Sequence, residues 1–195
     1  MLMMIPKKLL LLIALALPLA VVAQQKPSKK AKTASPAPLP AIDPEAKLKE
    51  MGIVLPKLNP PTGMFSRAVR TGNLVFLSGH VPAARPDGSR ITGRLGQDLS
   101  IEQGQEAAKL CGVALLASLK EEIGDLKKVR RIVKVLGMVN STPDFTEQPQ
   151  VMNAFSGMMI EIFGERGRHA RSAVGMAALP GNVPVEIEMI VEVDE

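Results

Sequence analysis

Two kinds of aromatic side chain are missing from this 195-residue chain: it has no Trp, no Tyr and only five Phe. Stacking platforms for nucleic-acid bases would rest on very few rings. Cysteine is almost absent too. Cys111 stands alone and cannot form an intrachain disulfide, which an exported protein often uses but does not require. Histidine occurs twice, as His80 and His169. Two distant histidines are a poor metal signature, because catalytic zinc takes three protein ligands. No metal is expected.

An excess of one charge is also missing from most of the chain. The total is 24 Lys+Arg against 19 Asp+Glu. Lys7, Lys8, Lys26, Lys29, Lys30 and Lys32 precede residue 34 and no acidic residue does, which leaves 18 basic and 19 acidic side chains for the remainder. The net charge of +5 therefore belongs to the N-terminal segment. Nucleic-acid binders usually carry a basic patch, since phosphate contacts dominate affinity. The folded part has only local basic clusters, at 127–131 and 166–171. No nucleic-acid partner is expected.

Residues 1–23 have the layout of a secretory signal peptide: Lys7 and Lys8, an apolar run over 9–22 interrupted by Pro18, then small residues up to Ala23. The competing reading is an uncleaved anchor, for which the run is short. No cysteine follows it for lipid attachment and no twin arginine precedes it. The expectation is export, periplasmic or secreted, with cleavage near Ala23 and no stable membrane insertion afterwards. Residues 24–43 are rich in Lys, Pro, Ala and Ser, a composition that makes an extended tether. Residues 44–195 are long enough for one domain with a real core.

Residues 74–79 read as a short buried strand, with Thr71-Gly72-Asn73 as a turn and 66–69 as its hairpin partner. Ser100 and Gln103 form a capping box opening a helix to about Ile123, with Ala108, Cys111, Leu115 and Leu119 on one face. Cys111 therefore reads as core packing. Residues 129–140 read as a long strand and 144–163 as a second helix, whose stripe is Val151, Phe155, Met158, Met159 and Ile162. Asn153 falls off that stripe. The last strands are 169–178 and 183–193, and the final one turns Glu186, Glu188 and Glu192 to the face opposite Val185, Ile187 and Met189. The fold class is α+β, a mixed sheet with two helices on one face. The other face needs cover, which favours a homo-oligomer.

Gly72-Asn73, Ser78-Gly79, Ala170-Arg171-Ser172, Leu179-Pro180 and Val185-Glu186-Ile187-Glu188 together resemble the signature of the Rid family, also called YjgF, over about residues 63–193. The resemblance implies a chorismate-mutase-like fold, a homotrimer, ligand clefts between subunits, and no metal or organic cofactor. It implies an imine deaminase, a hydrolase acting on C–N bonds of 2-imino or enamine acids, with a small carboxylate-bearing metabolite as substrate. On that resemblance Arg171 binds the carboxylate, Glu186 places or activates the attacking water, Asn153 matches a helix asparagine, and Ser78 lies near the cleft. The chain departs from the pattern at Phe65, where tyrosine is usual, at Ala173, where cysteine is common, and at His80, where glutamine is frequent. His80 enters as a titrating acid–base group, and Phe65 as a substrate contact lacking the hydroxyl. A non-catalytic carboxylate-binding envelope protein is the alternative, and RNA cleavage a distant third.

Overall fold

The computed structural model describes residues 42–59 and 63–194. The signal-peptide reading of 1–23 and nearly all of the tether reading of 24–43 lie outside the described residues.

The eight main elements are α1 (Pro44–Glu50), β1 (Ala68–Thr71), β2 (Leu74–His80), α2 (Ile101–Ile123), β3 (Val129–Asn140), α3 (Gln148–Phe163), β4 (Ala170–Met176) and β5 (Val185–Val193). The strands form one sheet in the order β1-β2-β5-β3-β4. Only β3 and β4 run parallel, and α3 makes the crossover that a parallel pair requires. The fold is α+β with a mixed sheet, as expected.

Local chemistry explains the boundaries. Ser100 Oγ accepts from the Gln103 amide while Gln103 Oε1 accepts from the Ser100 amide, so the capping box opens α2 as read. Gly124 closes it with φ of 81°. β3 spans the expected residues from end to end. The first strand of the hairpin lies two residues later than expected while the second starts at Leu74 as read: Ala68 pairs with Leu77 and Thr71 with Leu74, and Gly72 takes positive φ in a two-residue turn.

Two expectations are corrected. The second long helix begins at Gln148, not at 144. Pro149 lies in its first turn, where its missing N–H costs nothing. An earlier start would put its ring against the Phe145 carbonyl. A third helix, α1, precedes the two expected ones. It is seven residues long, capped by Asp43, whose carboxylate accepts from the amides of Glu45 and Ala46, with Pro44 in the first turn. Lys127–Asp43 and Lys120–Glu45 ion pairs hold it, and Arg166 donates to the carbonyls of Ile42 and Val129.

The core lies between the sheet and the helix layer. Val75, Leu77, Ile132, Val135, Val139, Val185, Ile187, Met189 and Val191 meet Cys111, Leu115 and Leu119 of α2 and Val151, Phe155, Met159 and Ile162 of α3. Burial pushes the Cys111 thiol well above its ordinary pKa, and its Sγ lies 3.4 Å from the Val185 carbonyl. A thiol so placed is inert. Among the described residues no helix covers the opposite sheet face. There Val69, Phe76, Ile190 and Lys134 follow one another across four strands, with Val69 55% and Phe76 41% exposed.

Candidate functional site

β4 is an edge strand, and Arg171 is its second residue. It pairs with Val135, a core residue, so its side chain leaves the sheet on the helix side. There α3 receives it. Arg171 Nη1 donates to Asn153 Oδ1 at 3.1 Å and to Ser156 Oγ at 3.0 Å, and Nη2 reaches the Pro149 carbonyl at 3.4 Å. Nη1 thus spends both hydrogens on the protein. Nε makes no hydrogen bond among the described residues. Pro149 takes one Nη2 hydrogen; the Nε–H and the other Nη2–H are left for a ligand, and two parallel N–H groups on a guanidinium edge match a carboxylate. The recess beside it, ≈ 520 Å³, is lined by Ser156, Ile160, Arg168, His169 and Arg171.

Glu186 stands elsewhere. It pairs with Met138 and alternates with buried Val185 and Ile187, so its carboxylate is on the helix-free face. β5 is two strands in from β4, about 10 Å at ordinary strand spacing. Arg171 and Glu186 therefore share neither a face nor an edge within one copy of the chain. Burial, and secondarily the charge of Glu188, raises the Glu186 pKa above the ordinary glutamate value. The carboxylate lies over Gly79, where a Cβ would overlap its Oε1. Glycine at 79 is what admits it.

Ser78 neighbours this second group. Its hydroxyl lies 3.2 Å from the carbonyls of Ser66 and of Arg67. It also lines a shallow recess of ≈ 290 Å³ with Phe76, Leu136 and Glu188. Phe65 stands in solvent, 58% exposed, in the segment leading to β1.

His80, expected as an acid–base group, lies inside the fold. The β2–β5 register shifts between Leu77 and His80, and this bulge turns His80 to the helix side. It is buried, with Nδ1 2.7 Å from the Ser78 carbonyl and Nε2 2.6 Å from Ser118 Oγ of α2. Both ring nitrogens are occupied within the protein, and burial lowers the imidazole pKa. His80 braces the bulge that carries Ser78 and Gly79.

Ser156 and His169 were not among the expected site residues. Their signal was present: Ser156 is three residues after Asn153 on a helix, and His169 two before Arg171, spacings that share a face in each element. No cluster of three or more metal-ligating side chains occurs among the described residues. A larger recess of ≈ 630 Å³ lies on the outer helix face, among Met51, Leu110 and Met158, away from the groups described above.

Residues 57–193 match the Endoribonuclease L-PSP family, and the chain belongs to that family, the Rid or YjgF family. Protein TCP17 of Trypanosoma cruzi is 39% identical over 150 residues, covering 76% of this chain and 93% of that protein. A 2-iminobutanoate/2-iminopropanoate deaminase of Dermatophagoides farinae is 31% identical over 134 residues, covering 69% and 89%. The crystal structure of Atu1372 from Agrobacterium tumefaciens, a protein of unknown function, superposes with a TM-score of 0.70 at 43% identity, covering 78% of this chain and 92% of that one.

Proposed function

We propose that this protein hydrolyses reactive 2-imino or enamine acids to 2-oxo acids and ammonia, at a cleft that Arg171 of one copy and Glu186 of another complete. The observation that carries the reading is the Nε–H and second Nη2–H that Arg171 keeps unspent while Asn153, Ser156 and the Pro149 carbonyl hold the rest of its guanidinium. The match to an imine deaminase supports the reaction class.

The chemistry asks little of the protein beyond placement and one proton acceptor. Arg171 holds the substrate carboxylate. The Glu186 carboxylate takes a proton from water as its oxygen bonds to the imine carbon, and the C=N π pair moves to nitrogen and is protonated. Collapse of the carbinolamine expels ammonia and leaves the ketone. A raised glutamate pKa favours this proton shuttling near neutrality.

Because the two groups lie on opposite faces, we propose a homotrimer in which the helix-free face of one copy meets the Arg171 edge of the next. The exposed Val69–Phe76 row supplies the apolar surface for such contact. We also place the activity outside the cytoplasm, on the signal-like layout of residues 1–23. RNA cleavage is disfavoured because the chain after residue 33 is nearly neutral and poor in aromatics, and several side chains of its basic clusters have acidic or carbonyl partners: Lys127 pairs with Asp43, Arg130 with Asp194, Arg168 with Glu165, and Arg166 caps two carbonyls.

The test is ammonia release from a panel of 2-imino acids generated in situ, by the wild type, Arg171→Ala and Glu186→Gln. Turnover in the wild type and its loss in both variants supports the proposal. Saturable binding of 2-oxo acids without turnover would transfer the site to a carboxylate-binding role.

A further inference from the structure

His169 Nδ1 lies 2.7 Å from the Gly167 carbonyl. A carbonyl only accepts, so Nδ1 carries the proton. A neutral imidazole has one N–H, so Nε2 is the acceptor. Nε2 lies 3.1 Å from Ser156 Oγ, and the hydroxyl must donate its single hydrogen there. Ser156 Oγ is then left with lone pairs alone, and one of them receives Arg171 Nη1–H at 3.0 Å. Every hydrogen bond from Arg171 to the Gly167 carbonyl thus has a forced direction. Burial, with Arg171 nearby, holds the His169 pKa below its ordinary value and keeps the ring neutral. Phe155 packs edge-on against that ring, centroids 5.9 Å apart at 68°, and sets its plane.

The second Nη1 hydrogen goes to Asn153 Oδ1. With both Nη1 hydrogens tied and Nη2 held by the Pro149 carbonyl, the guanidinium cannot rotate about Nε–Cζ without breaking three bonds. We propose that Ser156 and His169 are positioning residues for Arg171, a one-way hydrogen-bond chain that presents the Nε/Nη2 edge to the substrate carboxylate. This rests on the carboxylate reading of Arg171 given above. It adds that the pocket selects a planar carboxylate through edge geometry as well as charge.

The test uses the full chain with Ser156→Ala, Ser156→Thr and His169→Phe. Nitrogen-15 NMR reads rotation of the Arg171 guanidinium. Calorimetry reads affinity for 2-oxobutanoate and for its neutral amide. Separate, slowly exchanging Nη signals are expected in the wild type and Ser156→Thr, and averaged signals in Ser156→Ala and His169→Phe. Carboxylate affinity should fall about tenfold in the last two, the weight of one hydrogen bond to a charged group, with amide affinity unchanged. Equally slow rotation without Ser156 or His169, or equal losses for acid and amide, would overturn the proposal. A wild type that binds no 2-oxo acid refutes the carboxylate reading instead, and the rotation measurement still decides the positioning role.

Discussion

The Glu186 carboxylate occupies the space that a side chain on Gly79 would fill. Alanine at 79 would overlap the flexible end of that glutamate and no backbone atom. Gly79→Ala is therefore expected to fold, with stability within about 1 kcal/mol of wild type, while kcat for ammonia release falls roughly a hundredfold, the usual contribution of a placed base. Thermal unfolding and kinetics on the same sample check this. Gly167→Ala is the contrast: its Cβ would strike the Met159 backbone carbonyl, and it should destabilise the fold by about 1–3 kcal/mol or more.

Arg171→Ala and Glu186→Gln protomers should complement one another. Each is expected to be inactive alone. Unfolded together and refolded at equal ratio, they should regain about a quarter of wild-type activity, since a site between copies draws its two groups from different chains of a symmetric assembly. No recovery would place both groups in one chain.

The acid limb of the rate profile should lie above the ordinary glutamate value of 4.5, because burial and then Glu188 raise the Glu186 pKa. The active form is the carboxylate, so activity is lost as pH falls through that raised value. Glu188→Gln removes the second cause and should move the limb to lower pH. An unmoved limb would exclude Glu186 as its origin.

Folding stability should decline as pH falls below about 6.5. The imidazole of His80 is held below its ordinary value in the folded protein, chiefly by burial, so the unfolded chain takes up the proton first and is favoured as acid is added. His169 contributes in the same direction. Urea titrations at several pH values should show a flatter dependence for His80→Gln.

If the helix-free face joins copies as proposed, Phe76→Asp should lower the mass in solution. It places a charge in the middle of the Val69–Phe76–Ile190 row. Sedimentation velocity reads the result, and an unchanged mass would mean that another surface joins the copies.

Much of the fold was legible because its signals are local. α2 announces itself through Ser100 and Gln103, and β3 through a β-branched run that the sheet takes up whole. α1 was missed because seven residues carry too few turns for a periodic stripe. The facing of His80 was not legible either. Regular alternation puts residues 78 and 80 on one face, and only the register shift after Leu77, a property of the pairing with β5, sends the histidine inward. The residue types of the candidate site were readable from the motif. Their division between two faces was not, because it depends on which strand lies at the sheet edge.

The anchoring of α1 has a mechanical corollary. Ile42 is gripped by Arg166, Asp43 by Lys127 and Glu45 by Lys120, all on the helix layer. A pull on the chain ahead of Ile42 is borne first by these three clamps, on the side away from the bare sheet face. Tension there can be spent on peeling a short helix, and the strands that carry Arg171 and Glu186 keep their places.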